Sequence, residues 1–143
     1  MKTNYAVSAR RHWSDAEYLL GAPQTPDLLR SPNADQLYGF AAECALKAAL
    51  LGTHPVVQRA DGSIDPKELR IHINVFWPQY HVRIAGRRAR HLVVAWRGRE
   101  NPFADWTTDL RYAANEDLPK GDAVGMHRRA AKACLGVLER VAG

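Results

Sequence analysis

The sequence predicts an all-α protein, a four- to five-helix up-and-down bundle, on three observations. Apolar residues recur at spacings of three and four through most of the 143 residues, the pattern that lines one face of an α-helix. Helix-start and helix-stop signals separate those stretches, with Asn33 and Asp65–Pro66 at starts and Gly52 at a stop. Runs with the two-residue alternation of a strand are scarce, so the elements left to pack are helices, mostly antiparallel where the connections are short.

The first helix is expected from about Thr3 to Leu20, because Ala6, Ala9, Trp13, Ala16 and Leu20 make one apolar stripe. Gly21, Pro23 and Pro26 break it. Asn33 then caps a second helix, with Gln36 three residues on as in a capping box. Leu37, Phe40, Ala41, Cys44, Ala45, Ala48 and Leu51 form its buried face, and Gly52 ends it. Residues 53–64 read as a loop. Asp65 is the next cap, Pro66 fits the first helical position and Glu68 completes a second box. Leu69, Ile73, Phe76, Trp77 and Tyr80 continue the pattern of that third helix, with Pro78 bending or ending it. The run "RRARHLVVAW" fits either a helix or a strand, and Ala89, Leu92, Val93 and Trp96 favour a helix. "GRENPFADW" is a loop and "TTDLRY" a short helical turn. Val124, His127, Ala131, Cys134, Leu138 and Val141 mark a last helix of about five turns, a strict two-in-seven stripe.

The length is that of one domain, residues 1–143, large enough to bury a core without metal or disulfide staples. No secretory signal is visible in "MKTNYAVSARRHW", and no stretch approaches eighteen apolar residues, so the expectation is a cytoplasmic protein with no membrane partner. The two cysteines, Cys44 and Cys134, fall in apolar helical patterns and read as buried free thiols. No metal site, phosphate loop or nucleophile elbow has its spacing here, so no cofactor is expected.

Charge is unevenly spread. The net charge is +5, yet the stretch Leu69–Arg99 holds seven arginines, three histidines and no acid. It alone carries more positive charge than the whole chain, so the remainder is acidic. Arg83, Arg87, Arg88, Arg90, Arg97 and Arg99 are therefore candidate nucleic-acid-binding residues. The alternative is a solvated arginine-rich face with no specific partner.

Among single residues, His127 occupies a stripe position where a leucine is expected. It reads as a catalytic histidine over a cleft, with Arg128 and Arg111 as anion partners, or as a core histidine bonded to a neighbouring helix. "DLRY" brings Asp109, Arg111 and Tyr112 together, either as a polar site or as the closure of a bundle end. His91 among arginines is a candidate base or a surface histidine. His12 and Asp15 are three apart and can pair on a helix, or lie on an exposed polar face. Glu43 and Lys47, four apart beside the buried stripe, read as a pair at its edge, either a groove wall or subunit contact or a solvated pair. Exposed, such a pair contributes only about 0.2–0.5 kcal/mol.

Four segments resemble HEPN-domain proteins. "ADQLYGFAAECALKAALLG" is similar to the second helix of that family and "RRHWSDAEYLL" to its usual start. "HINVFW" resembles the His-x-x-x-x-Trp of its third helix, and "NPFADWTTDLRY" before a long amphipathic helix its closing segment. Together they span most of the chain, about residues 6–142. The resemblance implies a HEPN-like bundle, usually a homodimer, and many such proteins are metal-independent ribonucleases of toxin–antitoxin or defence systems. Others are non-catalytic or work beside a nucleotidyltransferase. Tryptophans 13, 77 and 106, more than one small core is expected to absorb, agree with a dimer. The family's catalytic signature, an arginine and a histidine with four to six residues between them, is absent: Arg87 is too near His91, with three between, and Arg83 too far, with seven. The expected function is therefore an RNA-directed component, ribonuclease or RNA-binding. The alternative is a non-catalytic interaction module paired with an antitoxin or nucleotidyltransferase.

Overall fold

The computed structural model of the chain describes residues 1–21, 27–53, 58–85, 90–98, 100–114 and 122–142. Among them lie four α-helices: α1 (Tyr5–Gly21), α2 (Asp27–Thr53), α3 (Ile73–Ile84) and α4 (Ala123–Ala142). Short 3₁₀ turns occupy Lys67–Leu69, Arg90–Leu92 and Thr108–Tyr112. The described residues contain no strand, only an isolated bridge between Gln58 and Ile64. The protein is an all-α bundle, as its periodicity predicts. None of the described helices is long and apolar enough to cross a membrane.

The bundle is built around α2, which packs along α1 and α4 and also meets α3. Small residues make the close approach possible. Ala9 and Ala16 of α1, Ala34, Ala42, Ala45 and Ala49 of α2, and Ala130 and Ala131 of α4 are all fully buried. Tyr38, Leu46, Leu50, Phe76, Tyr80 and Phe103 fill the spaces between them in one continuous core. Gly39 serves a different close approach. A Cβ there would lie 2.0 Å from the Trp106 indole, so the absence of a side chain is what seats the ring on the helix.

Both outer helices follow their stripes. Asn4 starts α1 by accepting the Val7 amide on its side chain at 3.1 Å, satisfying one of the unpaired amides of a helix start. α4 buries His127, Ala131, Cys134 and Leu138 at the expected spacing.

Other expectations need correction. α2 begins at Asp27, so Asn33 is not its cap, and Pro32 lies inside it. Gln36 does not turn back to a helix start: its amide donates to the Thr107 carbonyl. The expected buried face of α2 holds at Ala41 and Ala45, which are fully buried, and fails at its other positions. Leu37, Phe40, Cys44, Ala48 and Leu51 are only half-buried, while Tyr38, Ala42, Leu46 and Leu50 are fully buried. A helix with neighbours on three sides has little one-sided patterning to read.

Asp65 and Pro66 start only the 3₁₀ turn at Lys67–Leu69. α3 begins later, at Ile73, with extended His72 as its N-cap. α3 also runs on past Pro78 to Ile84. Pro78 has no N–H for the Asn74 carbonyl, and the Asn101 side chain donates to that carbonyl instead, at 2.8 Å. The helix expected through Ala89–Trp96 is a single turn at Arg90–Leu92 followed by non-helical chain. There Leu92 and Val94 are buried and Val93 and Ala95 exposed, a period of two that outweighs the helical reading. Arg140 of α4 holds this stretch by donating to the His91 and Val93 carbonyls. The tryptophan argument for a dimer also weakens, because one chain buries Trp77 and Trp106 by itself.

Candidate functional site

The acid and base in the middle of α2 are interior, not at an edge. Glu43 and Lys47 have side chains only 10 % and 6 % exposed, where a solvated pair was one expectation. Lys47 Nζ donates to Glu43 Oε2 and to the Ile71 carbonyl, each at 3.0 Å. Its charge also lies over the Tyr5 and Phe76 rings, 5.7 and 5.4 Å from their centroids. Burying a carboxylate is costly unless it is paired and hydrogen-bonded. Lys47 supplies one partner on one carboxylate oxygen.

His72 supplies the other. Its Nδ1 donates to Glu43 Oε1 at 3.0 Å, while its side chain remains 55 % exposed. The N-cap position of α3 thus turns the ring back to α2 with more than half of its surface still open to solvent. The hydrogen bond to Glu43 raises the His72 pKa, against partial desolvation and the positive charges of Lys47 and Arg111. A second imidazole stands on the same aromatic ring. His12 of α1 and His72 each lie 5.7 Å from the Phe40 centroid. Burial lowers the His12 pKa, with Arg11 acting the same way and Asp15 and Glu43 opposing. Trp106 completes the aromatic floor, 5.5 Å from Phe40 and 6.2 Å from His72. Its indole N–H donates to the Asp35 carbonyl at 2.9 Å. Two histidines of opposite bias therefore share one aromatic surface, and the charge of exposed Arg111 slightly opposes protonation of His72.

His127 is placed differently. It is fully buried, its Nδ1 bonds Asp35 Oδ1 at 2.6 Å, and its ring stacks on Phe103 at 5.3 Å. Its Nε2 has no hydrogen-bond partner and lies 3.9 Å from Asp105 Oδ1. Arg128 turns to α1, where it donates to both Glu17 oxygens and lies 5.6 Å over Trp13. That pairing, with the Tyr38 hydroxyl at 2.7 Å, holds Glu17 below the usual carboxylate range. Arg111 lies 5.1 Å from the Tyr112 ring. Among the described residues no hydrogen bond or ion pair joins His127 to Arg128 or Arg111. The expected trio is not assembled, and His127 takes the core position bonded to a neighbouring helix.

Of the candidate nucleic-acid-binding arginines, Arg90 and Arg97 are exposed and Arg83 pairs with Glu68 at 3.1 Å. Arg87, Arg88 and Arg99 lie outside the described residues, as does His54. Cys44 and Cys134 are free thiols. Burial, followed by the Glu43 charge, pushes the Cys44 thiol up to about 12, so it is no nucleophile near neutral pH. No group of three or more metal-ligating side chains occurs among the described residues.

Comparison with protein-family models, curated proteins and solved structures finds no match to this chain. Sequence reasoning missed His72 as the partner of Glu43, and His12 and Trp106 as its neighbours on Phe40. The usable signal was that each of the four segments carrying the resemblance holds at least one polar or aromatic residue of this cluster, among them His12, Glu43, His72 and Trp106. Spacing along the chain could not show that they converge.

Proposed function

We propose that the chain is a HEPN-like, RNA-directed protein of a toxin–antitoxin or defence system that cleaves RNA without a metal ion. The observation that carries this reading is the pair of oppositely biased histidines on Phe40, one of them oriented by a buried carboxylate. Groups whose surroundings push their proton affinities apart divide acid and base roles between them. His12, biased to the neutral form, takes the proton of a ribose 2′-hydroxyl. The 2′-oxygen attacks the adjacent phosphorus. The 5′-oxygen of the next nucleotide leaves with a proton from Nε2 of His72, which the Glu43 contact biases toward its charged form. The products are a 2′,3′-cyclic phosphate and a free 5′-hydroxyl. Arg111 offsets the charge that builds on the phosphorane. Lys47 stays buried against Glu43 and keeps that carboxylate in place. The four HEPN-like segments support the same reading, and the acidless arginine stretch supports an anionic substrate.

The test is incubation of purified protein with end-labelled RNA in EDTA, beside His12→Ala and His72→Ala. Each variant should lose about a hundredfold or more in cleavage rate, the usual share of general acid–base catalysis. The pH profile should be a bell, rising as His12 loses its proton below the ordinary histidine value and falling as His72 loses its own above it. Wild-type rates in both variants, or intact RNA at every pH, would remove the catalytic assignment.

A further inference from the structure

A second feature lies along α3, away from the histidines. Trp96 stands half-buried between two adjoining cavities of about 440 and 650 Å³, which share Trp96, Gly98 and Asn101 in their walls. Both volumes are in the range of small-ligand clefts. The first is walled by Trp77, Pro78 and His81 of α3, with the Trp77 and His81 rings 4.7 Å apart. The second carries Arg97 together with Glu100 and Asp105. We propose that the groove on the two sides of Trp96 seats unpaired nucleobases of single-stranded RNA.

Three observations select that occupant. Trp96 borders both hollows and is joined in the first by the Trp77 and His81 rings, a surface on which bases can stack, and stacking requires bases freed from a duplex. Exposed Arg97, from the stretch with seven arginines and no acid, lines the second cavity and offers a cation to a phosphate beside a seated base. Where carboxylates do appear, Glu100 and Asp105 sit inside the second cavity with Arg97. A mixed set of donors and acceptors suits the polar edge of a base better than a bare phosphate. The walls are fixed in advance. Asn101 donates to the Asn74 carbonyl and accepts the Phe103 amide at 2.9 Å, tying the loop to α3. Gly98 takes a φ of +101°, turning the chain just after Arg97 with open space beside it. His72 caps the same helix, and Trp77 follows five residues on, about 8 Å of helical rise. The choice of RNA rests on the ribonuclease reading.

The test measures binding apart from chemistry. A dye-labelled 2′-O-methyl oligonucleotide, whose capped 2′-oxygen cannot attack, is titrated with protein by fluorescence anisotropy, single-stranded and as a duplex. The single strand should bind more tightly. Trp96→Ala should weaken it about tenfold, the cost of losing roughly one stacked base, while Trp96→Phe keeps most of the affinity. Equal affinity of Trp96→Ala and wild type, equal binding of strand and duplex, or no binding at all would overturn the groove. Cleavage of an all-ribose strand by the same preparations separates the two ideas. Cleavage indifferent to Trp96 leaves the histidines standing and the groove refuted. Trp96-dependent binding by a protein that never cleaves leaves the groove standing and the ribonuclease refuted.

Discussion

Two carboxylate–histidine pairs hang from α2, eight residues apart, and they have opposite surroundings. Asp35 and His127 are both sealed, with side chains 2 % exposed, and no cation is bonded to the carboxylate among the described residues. Asp35 Oδ2 and His127 Nε2 are left without partners. Glu43 is nearly as buried, but it is neutralised by Lys47 from inside and bonded to His72 from outside. The histidine is the difference that matters. His127 has its second nitrogen sealed from water, whereas the His72 ring is more than half exposed. A carboxylate that orients an imidazole makes chemistry only where the second nitrogen reaches a substrate; elsewhere the same pair fastens one helix to another.

The comparison can be broken most severely at Lys47. Lys47→Met leaves Glu43 buried against a mostly exposed histidine, and breaking a buried ion pair costs about 3 kcal/mol or more. Urea unfolding should show that loss, and a midpoint unchanged from wild type would mean that Glu43 is better solvated than the structure has it.

His127→Ala and His72→Ala sharpen it next. The first leaves Asp35 without its hydrogen-bond donor in the core, a loss of about 2 kcal/mol, yet the cleavage rate per folded molecule should hold. The second should do the reverse, with activity gone and stability within about 1 kcal/mol of wild type, since the ring is mostly exposed. Activity lost in His127→Ala at unchanged folding would move the catalytic role to the sealed pair.

The smallest effect is the pH dependence of stability. The His72 pKa is raised in the folded state, so its contribution is complete below the ordinary histidine value and fades as pH rises through the raised one. The His12 pKa is lowered, so its contribution is intact above the ordinary value and is lost as pH falls toward the lowered one. Wild type should therefore exceed His72→Gln in stability by more at pH 5.5 than at pH 8.5, by under about 1 kcal/mol after solvent screening. A gap that widens with pH instead would reverse the sign assigned to the Glu43 contact.

Periodicity made α1 and α4 legible because each shows one face to the core and the other to water. It failed on α2, where neighbours on three sides hide the stripe, and so it put Glu43 and Lys47 at an edge they do not occupy. It failed again at Val93–Trp96, where a few residues satisfy two periods equally well. Composition did locate the arginine stretch, but not the groove inside it, since Trp77, Trp96 and Asn101 meet only through tertiary contacts. His12 and His72 were visible as residues and invisible as a pair. Sixty positions separate them, and the ring that joins them belongs to a third segment.

Pro78 makes α3 depend on a loop. With one backbone donor missing, the Asn74 carbonyl relies on Asn101, and the segment bearing Asn101 relies on it in return. The helix and that loop should then open to hydrogen exchange as one cooperative unit, and neither is free to drift in evolution without the other. Pro78→Ala would restore the helix's own bond and release the loop, trading a coupled wall for an independent one.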